Sequence, residues 1–328
     1  AAETLAGRVW LMPSSPFAGI SAPLITGLFA AWKTAFPPTA EGRFTDHPGL
    51  PVTGGAFPRP PEAPFPLSTN YEETMLLKDK KCLIFGVANN RSIAYGIASC
   101  FKEQGARLAF SYAGEAIHKR VEPISEELGG EFIFPCDVTS DEDIAAAAAL
   151  VKEKWGSVDV LVHSVAFANR EDLTKRFIET SRDGFATALN VSAYSLTALC
   201  HAFEPMLNPG ASVLTMTYYG AQKIITNYNV MGVAKAALEA SVRYLSVDLG
   251  AKDVRINAIS AGPLKTLASS GISDFKQIFN HIEEHAPLRR NVTTEDVGKA
   301  AVFLASDLGS AVTGEIMFVD CGYNNLGI

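Results

Sequence analysis

From Leu76 onward, short runs of apolar, β-branched and aromatic residues alternate with longer stretches whose apolar positions recur at helical spacing. The runs KCLIFGV, RLAFSY, EFIFPC, VDVLVHS, SVLTMT, RINAIS and IMFVD read as strands. Between them the pattern predicts helices over 92–104, 116–128, 141–155, 183–206, 227–249 and 294–306. Thr139-Ser140 and Thr293-Thr294 supply cap oxygens for two of them. Strands that are apolar almost throughout are buried on both faces, which in this alternating order means a parallel sheet covered by helices. The expected fold class is therefore α/β: a Rossmann-like doubly wound sheet in a single domain over 75–328, with its ligand at the carboxyl ends of the strands.

The first 74 residues are a different kind of sequence, holding 12 of the 18 prolines in runs such as PRPPEAPFP. Proline removes backbone donors and blocks regular structure, so 1–74 reads as a mostly disordered or non-native extension, with Met75 the natural start. It lacks the basic leader of a secretory signal, and six acidic side chains against four basic ones fit a transit peptide poorly. A net charge of −7 without a block of like charges argues against a nucleic-acid partner. No apolar run approaches the roughly 20 residues of a membrane helix. The five cysteines include no C-x-x-C pair, which argues against a disulfide framework or a metal site and fits a reducing cytoplasm.

Candidate chemistry gathers at the strand ends. In GVANNRSIAYG, Gly86 ends the first strand, Ser92 can cap the next helix and Gly96 lies in its first turns. Such a turn lets backbone N–H groups face a pyrophosphate, although the spacing is not G-x-G-x-x-G and alone is equally a glycine-bearing turn. CDV (136–138) closes the third strand, where Asp137 can accept from an adenine amino group or simply lead into a helix. HSVAFA (163–168) ends the fourth with small residues that let backbone lie against a ribose. In SAGPLKT (260–266), Pro263 fixes a turn and Thr266 offers a hydroxyl. Four such features at successive strand ends point to a dinucleotide. The second strand ends FSYAGE, with no Arg or Lys within the next five residues for a 2′-phosphate, which favours NADH over NADPH.

The stretch NYNVMGVAKAALE places Tyr228 seven residues before Lys235 on what the pattern predicts as one helix. Seven residues turn about 700°, close to two full revolutions, so the two would share a face with roughly 10 Å of rise between them. Met231, four before the lysine, occupies the place where many nicotinamide-dependent reductases carry their acid. Reduction of a carbonyl needs an acid beside the hydride. Reduction of a conjugated C=C–C=O puts hydride on the β-carbon and charge on a more distant oxygen, so its donor must stand further away. The displaced tyrosine thus points to enoyl reduction.

The chain from about Met75 to Asn324 closely resembles the bacterial type I enoyl-acyl carrier protein reductases, a branch of the short-chain dehydrogenase/reductase superfamily. The resemblance rests on GVANNRSIAYGIA, CDV, HSVAFA, TYYGAQKIITNYNVMGVAKAALE, RINAISAGP and TGEIMFVD. It implies reduction of trans-2-enoyl thioesters on an acyl carrier protein with NADH (product NAD+), in fatty acid elongation, by a cytoplasmic homotetramer. It also implies that Tyr228 binds the thioester carbonyl, Lys235 the nicotinamide ribose, and that Tyr218 lines the acyl pocket with Ala168 and Met231. Gly86, Ser92, Ile93, Asp137 and Val138 would hold the adenosine and phosphate side of the cofactor. Ser164, Val165, Pro263 and Thr266 would flank its nicotinamide half. Residues 264–286 resemble the substrate-binding flap, with Gly271 as a flexible point.

The sequence departs from the family in two places. The flap keeps Lys276 but has Ser273 and Gln277 where basic residues often meet the carrier, so docking is either weaker or leans on Arg289 and Arg290. Cys321 replaces a small residue in the closing D-x-G, with only a packing consequence expected. Two other readings remain: a carbonyl reductase of the same superfamily, against which Met231 argues, and a non-catalytic NADH-binding protein, against which the retained tyrosines and lysine argue.

Overall fold

The computed structural model describes residues 75–266 and 275–327. The chain divides between Ser68 and Thr69, and the described residues all belong to the second unit. The disordered extension expected over 1–74 lies outside the described residues.

Seven strands form one parallel sheet: β1 (Lys81–Phe85), β2 (Arg107–Tyr112), β3 (Phe132–Pro135), β4 (Val158–His163), β5 (Leu207–Thr217), β6 (Arg255–Ala261) and β7 (Ile316–Val319). Their order is β3-β2-β1-β4-β5-β6-β7, so the winding reverses between β1 and β4 and opens a crevice above their carboxyl ends. The helices are α1 (Ile93–Glu103), α2 (Glu115–Leu128), α3 (Asp141–Lys154), α4 (Arg170–Thr174), α5 (Arg182–Leu189), α6 (Ser195–Phe203), α7 (Val230–Gly250), α8 (Phe275–His285) and α9 (Thr294–Ala305).

Alternation along the strands divides the core into two layers. Cys82 and Ile84 of β1 face α1, α2 and α9, whereas Leu83 and Phe85 face α3, α6 and α7. The helices α1 and α9 lie unusually close: a Cβ on Gly96 would come within 2.6 Å of Thr294, and one on Gly298 within 2.6 Å of the Gly96 carbonyl. Thr293 and Asp296 cap α9 reciprocally, as the Thr-Thr-Glu-Asp run suggests.

Two helices differ from their expected form. The single helix expected over 183–206 is interrupted by a π turn, Asn190–Tyr194, between α5 and α6. The Ser192 hydroxyl there bonds both the N–H and the carbonyl of Phe167, at 2.9 and 3.0 Å, tying the wider turn to the loop after β4. The other difference is at the active-site helix. Rather than starting near Asn227, α7 starts at Val230, so Tyr228 and Lys235 do not lie on one helix. Asn227 and Asn229 hold φ of 62° and 40°, which no right-handed helix accommodates. The physical reason is a side-chain one: Asn229 Nδ2 donates to the carbonyls of Leu173 (3.0 Å) and Lys175 (2.7 Å), binding the turn to α4 instead of to the helix.

Candidate active site

Tyr228 therefore sits on a turn ahead of α7, buried, with its ring against Tyr218 just past β5; the centroids are 5.0 Å apart and the planes at 72°. Gly220 makes room for it, since a Cβ there would overlap the Tyr228 ring. Met231 and Ala168 belong to the same small apolar cluster, along with Leu173 and Ala188. The thioether of Met231 lies 3.7 Å from the Ser192 hydroxyl, whose proton goes to the Phe167 carbonyl, and has no proton to give. The expected substrate-side residues Tyr218, Tyr228, Met231 and Ala168 are thus brought together. The helical-face derivation of their neighbourhood fails, because a turn rather than a helix carries the tyrosine.

Lys235, on the second turn of α7, is 5% exposed and donates to the Met216 carbonyl at 2.8 Å. Burial brings its ammonium down to about 8, against the opposing attraction of Glu239. Burial raises Tyr228 well above the ordinary phenol range, with Tyr218 and Glu239 adding to the effect. Tyr218 is pushed up to about 12, again chiefly by burial. Both phenols therefore remain protonated hydrogen-bond donors at neutral pH.

Behind them, His163 at the end of β4 is fully buried between Thr215 (Nδ1, 2.8 Å) and Ser195 (Nε2, 2.8 Å). Ser195 spends its own proton on the Val191 carbonyl, so it accepts from Nε2–H while Nδ1 accepts from Thr215. Burial, with the Lys235 charge second, lowers the imidazole to about 3 and keeps it neutral.

Around the crevice, Gly86 has φ of 101°, and its backbone lies so close to that of Ser164 that any Cβ would overlap it. The hydroxyl of Ser92 bonds the Asn89 carbonyl at 2.6 Å instead of capping α1. The first turn of α1, beginning at Ile93, also carries no acid, so its N–H groups suit an anion. Val138 is buried, while Asp137 is exposed and spends one oxygen on Thr139 N and Oγ1 at 2.9 and 2.7 Å. Ser164 and Val165 are half-buried beside β1, and Pro263 lines a cleft of about 460 Å³. Tyr218, Tyr219, Ser260, His281 and Tyr323 line that cleft as well, whereas Tyr228 and Lys235 do not. The Ser260 hydroxyl is 1% exposed and has no protein partner, an orphan polar group at the wall of the cleft. A glycine cradle, a helix start without an acid and an orphan hydroxyl together fit a dinucleotide.

Helix α8 closes one side of the cleft through Gln277, Ile278, His281 and Ile282. Thr266 is half-buried ahead of it, and Gly271 and Ser273 lie outside the described residues. Arg290, expected as a docking charge, is instead bidentate on Asp296 at 2.6 and 3.1 Å. Cys321 has φ of 59°, so its replacement of a small residue affects the backbone as well as the packing. Sequence reasoning missed the buried Glu239. Its position four residues beyond Lys235, on the same helical face, was the available signal.

The family model described as Enoyl-(Acyl carrier protein) reductase matches residues 86–324. The chain is 53% identical over 253 residues to enoyl-[acyl-carrier-protein] reductase [NADH] 1 of Rhizobium meliloti, covering 77% of this chain and 93% of that protein. It is 54% identical over 254 residues to the NADH enoyl-[acyl-carrier-protein] reductase FabI of Rickettsia typhi, covering 77% and 97%. Among solved structures, the Bacillus cereus enoyl-acyl carrier protein reductase with NADP+ and indole naphthyridinone superposes with a TM-score of 0.76 at 50% identity, covering 77% and 99%. The Anaplasma phagocytophilum enzyme in complex with NAD gives 0.74 at 47% identity, covering 77% and 95%.

Proposed function

The chain belongs to the enoyl-(acyl carrier protein) reductase family and is an NADH-dependent enoyl-acyl carrier protein reductase; within that activity we propose the following roles for its residues. Tyr228 binds the thioester oxygen and donates a hydrogen bond to the enolate charge. Tyr218, against its ring, holds it in place and lines the acyl side with Ala168 and Met231. The Lys235 ammonium binds the ribose hydroxyls of the nicotinamide half. Gly86, Ser92 and Ile93 receive the phosphates, Asp137 and Val138 the adenosine, and Ser164, Val165, Pro263 and Thr266 the nicotinamide half.

NADH, when bound, supplies the hydride that adds to the β-carbon. The residues of this chain do the rest. The Tyr228 phenol, held protonated by burial, stabilises negative charge on an oxygen two bonds beyond the attacked carbon, while a solvent proton completes the α-carbon. Met231 keeps the place nearer the lysine apolar, which disfavours delivery of a proton to a carbonyl oxygen beside the hydride. The observation that carries this reading is the pairing of Tyr228 with Tyr218 while a thioether stands at the position of the usual acid.

The partners are an acidic acyl carrier protein and further copies of the chain. Ala236, Tyr244 and Val247 are exposed along one stripe of α7, with half-buried Ala240 between them and Tyr244 79% and Val247 74% accessible, which supports a homotetramer. Among the described residues no helix is long and apolar enough to cross a membrane. All five cysteines are free, which supports a cytoplasmic setting. The experiment is NADH oxidation with crotonyl-CoA beside a panel of aldehydes and ketones: turnover of the enoyl thioester alone is expected, and preference for a carbonyl overturns the assignment.

A further inference from the structure

Glu239 is a buried carboxylate that the roles above do not use. It lies one turn beyond Lys235 on α7 and is 4% exposed. Among the described residues no cation stands within ion-pair distance of it. Its oxygens instead accept from Thr217 Oγ1 at 2.9 Å and Gln222 Nε2 at 3.3 Å. Thr217 is the last residue of β5, next to Tyr218, and Gln222 follows the turn that carries Tyr219 and Gly220. One side chain thus joins the helix of Lys235 to the strand end and the loop that frame Tyr228.

We propose that Glu239 is a positioning residue: its carboxylate, one turn beyond Lys235 on α7, sets the electrostatic setting of the lysine, and its hydrogen bonds fix the 217–222 segment. A glutamine offers one acceptor oxygen to these two donors and meets both only if the Gln222 amide reverses, so the carboxylate serves the hydrogen bonds and adds a charge beside Lys235. A buried charge with only neutral donors costs stability, and its field reaches far because little water screens it. Among the described residues the Lys235 ammonium has the neutral Met216 carbonyl as its one direct partner, so the charge one turn away is what offsets its burial. The same field opposes ionisation of Tyr228. The other titratable groups facing this cluster are His163 from β4, which burial keeps neutral, and Tyr218 past β5; Arg243, further along α7, is exposed.

This inference rests on Lys235 binding the cofactor, and its test separates the two. NADH affinity is titrated by fluorescence from pH 6 to 10 on the parent chain, Glu239→Gln, Glu239→Asp and Lys235→Ala, with a melting curve for each. In the parent, affinity falls as pH rises through the Lys235 value of about 8. Glu239→Gln moves that midpoint down by about one unit with the fold retained, and Glu239→Asp, which keeps the charge, restores it. An unchanged midpoint in Glu239→Gln, or one equally lowered in Glu239→Asp, overturns the electrostatic role. Should Glu239→Gln fail to fold, Gln222→Ala keeps the carboxylate and must lower turnover while leaving the midpoint at the parent value; a moved midpoint there contradicts the proposal. If Lys235→Ala binds NADH like the parent, the failure lies in the role given to the lysine.

Discussion

The rings of Tyr218 and Tyr228 meet edge to face, 5.0 Å apart between centroids, although one follows a strand and the other precedes a helix. Such a contact contributes about 0.5–1.5 kcal/mol beyond simple burial, enough to hold a phenol in one orientation. Tyr218→Phe keeps the ring and is expected to retain turnover within a few-fold. Tyr218→Ala frees the Tyr228 ring and is expected to lose about tenfold in kcat, measured under saturating NADH. Equal losses in the two variants would place the effect in the Tyr218 hydroxyl instead.

Asn229 stitches the tyrosine turn to α4 while holding φ of 40°. Asn229→Gly keeps the backbone and loses the stitches; Asn229→Ala loses both. Urea unfolding should find Asn229→Ala less stable than Asn229→Gly by about 1 kcal/mol, with kcat reduced in each. Alanine as stable as glycine would mean that the backbone carries no strain there.

His163 remains neutral in the fold down to about pH 3, whereas in the unfolded chain it gains a proton near its usual 6.5. Because its folded value is lowered, the unfolded state binds more protons throughout that window. Its contribution to stability is complete above about 6.5 and falls by about 1.4 kcal/mol per pH unit below it. Denaturant melts between pH 7 and pH 4 should show a shallower acid slope for His163→Asn than for the parent, alongside lower stability at neutral pH from the altered bonds to Thr215 and Ser195.

Cys321 occupies the left-handed region at φ of 59° and is mostly buried. Cys321→Gly relieves backbone strain and is expected to raise stability by about 1 kcal/mol, less whatever packing the thiol supplies. A melting temperature below that of the parent would show that the packing outweighs the strain.

The sheet was legible because each strand is a compact apolar run between turn signals: RLAFSY is β2 residue for residue, and the reversal beside β1 follows from the alternation of strands and helices. The close backbone approach above the switch point was legible through Gly86 and the small residues after β4. The start of α7 was not. Apolar spacing runs smoothly through Val230 and Met231, and the opposing signal, the asparagines flanking Tyr228, takes effect through the Asn229 side chain, which bonds carbonyls some 55 residues earlier in the chain. Glu239 and the orphan Ser260 hydroxyl escaped because burial of a polar side chain is a tertiary property, although the four-residue step from Lys235 to Glu239 was open to view.

The central claim, that the Tyr228 hydroxyl bears the enolate charge, is tested most directly by Tyr228→Phe assayed with crotonyl-CoA, with NADH affinity measured in parallel. Turnover is expected to fall by about 10²–10³ while NADH binds as in the parent. Turnover within a few-fold of the parent, with the same NADH affinity, would contradict it.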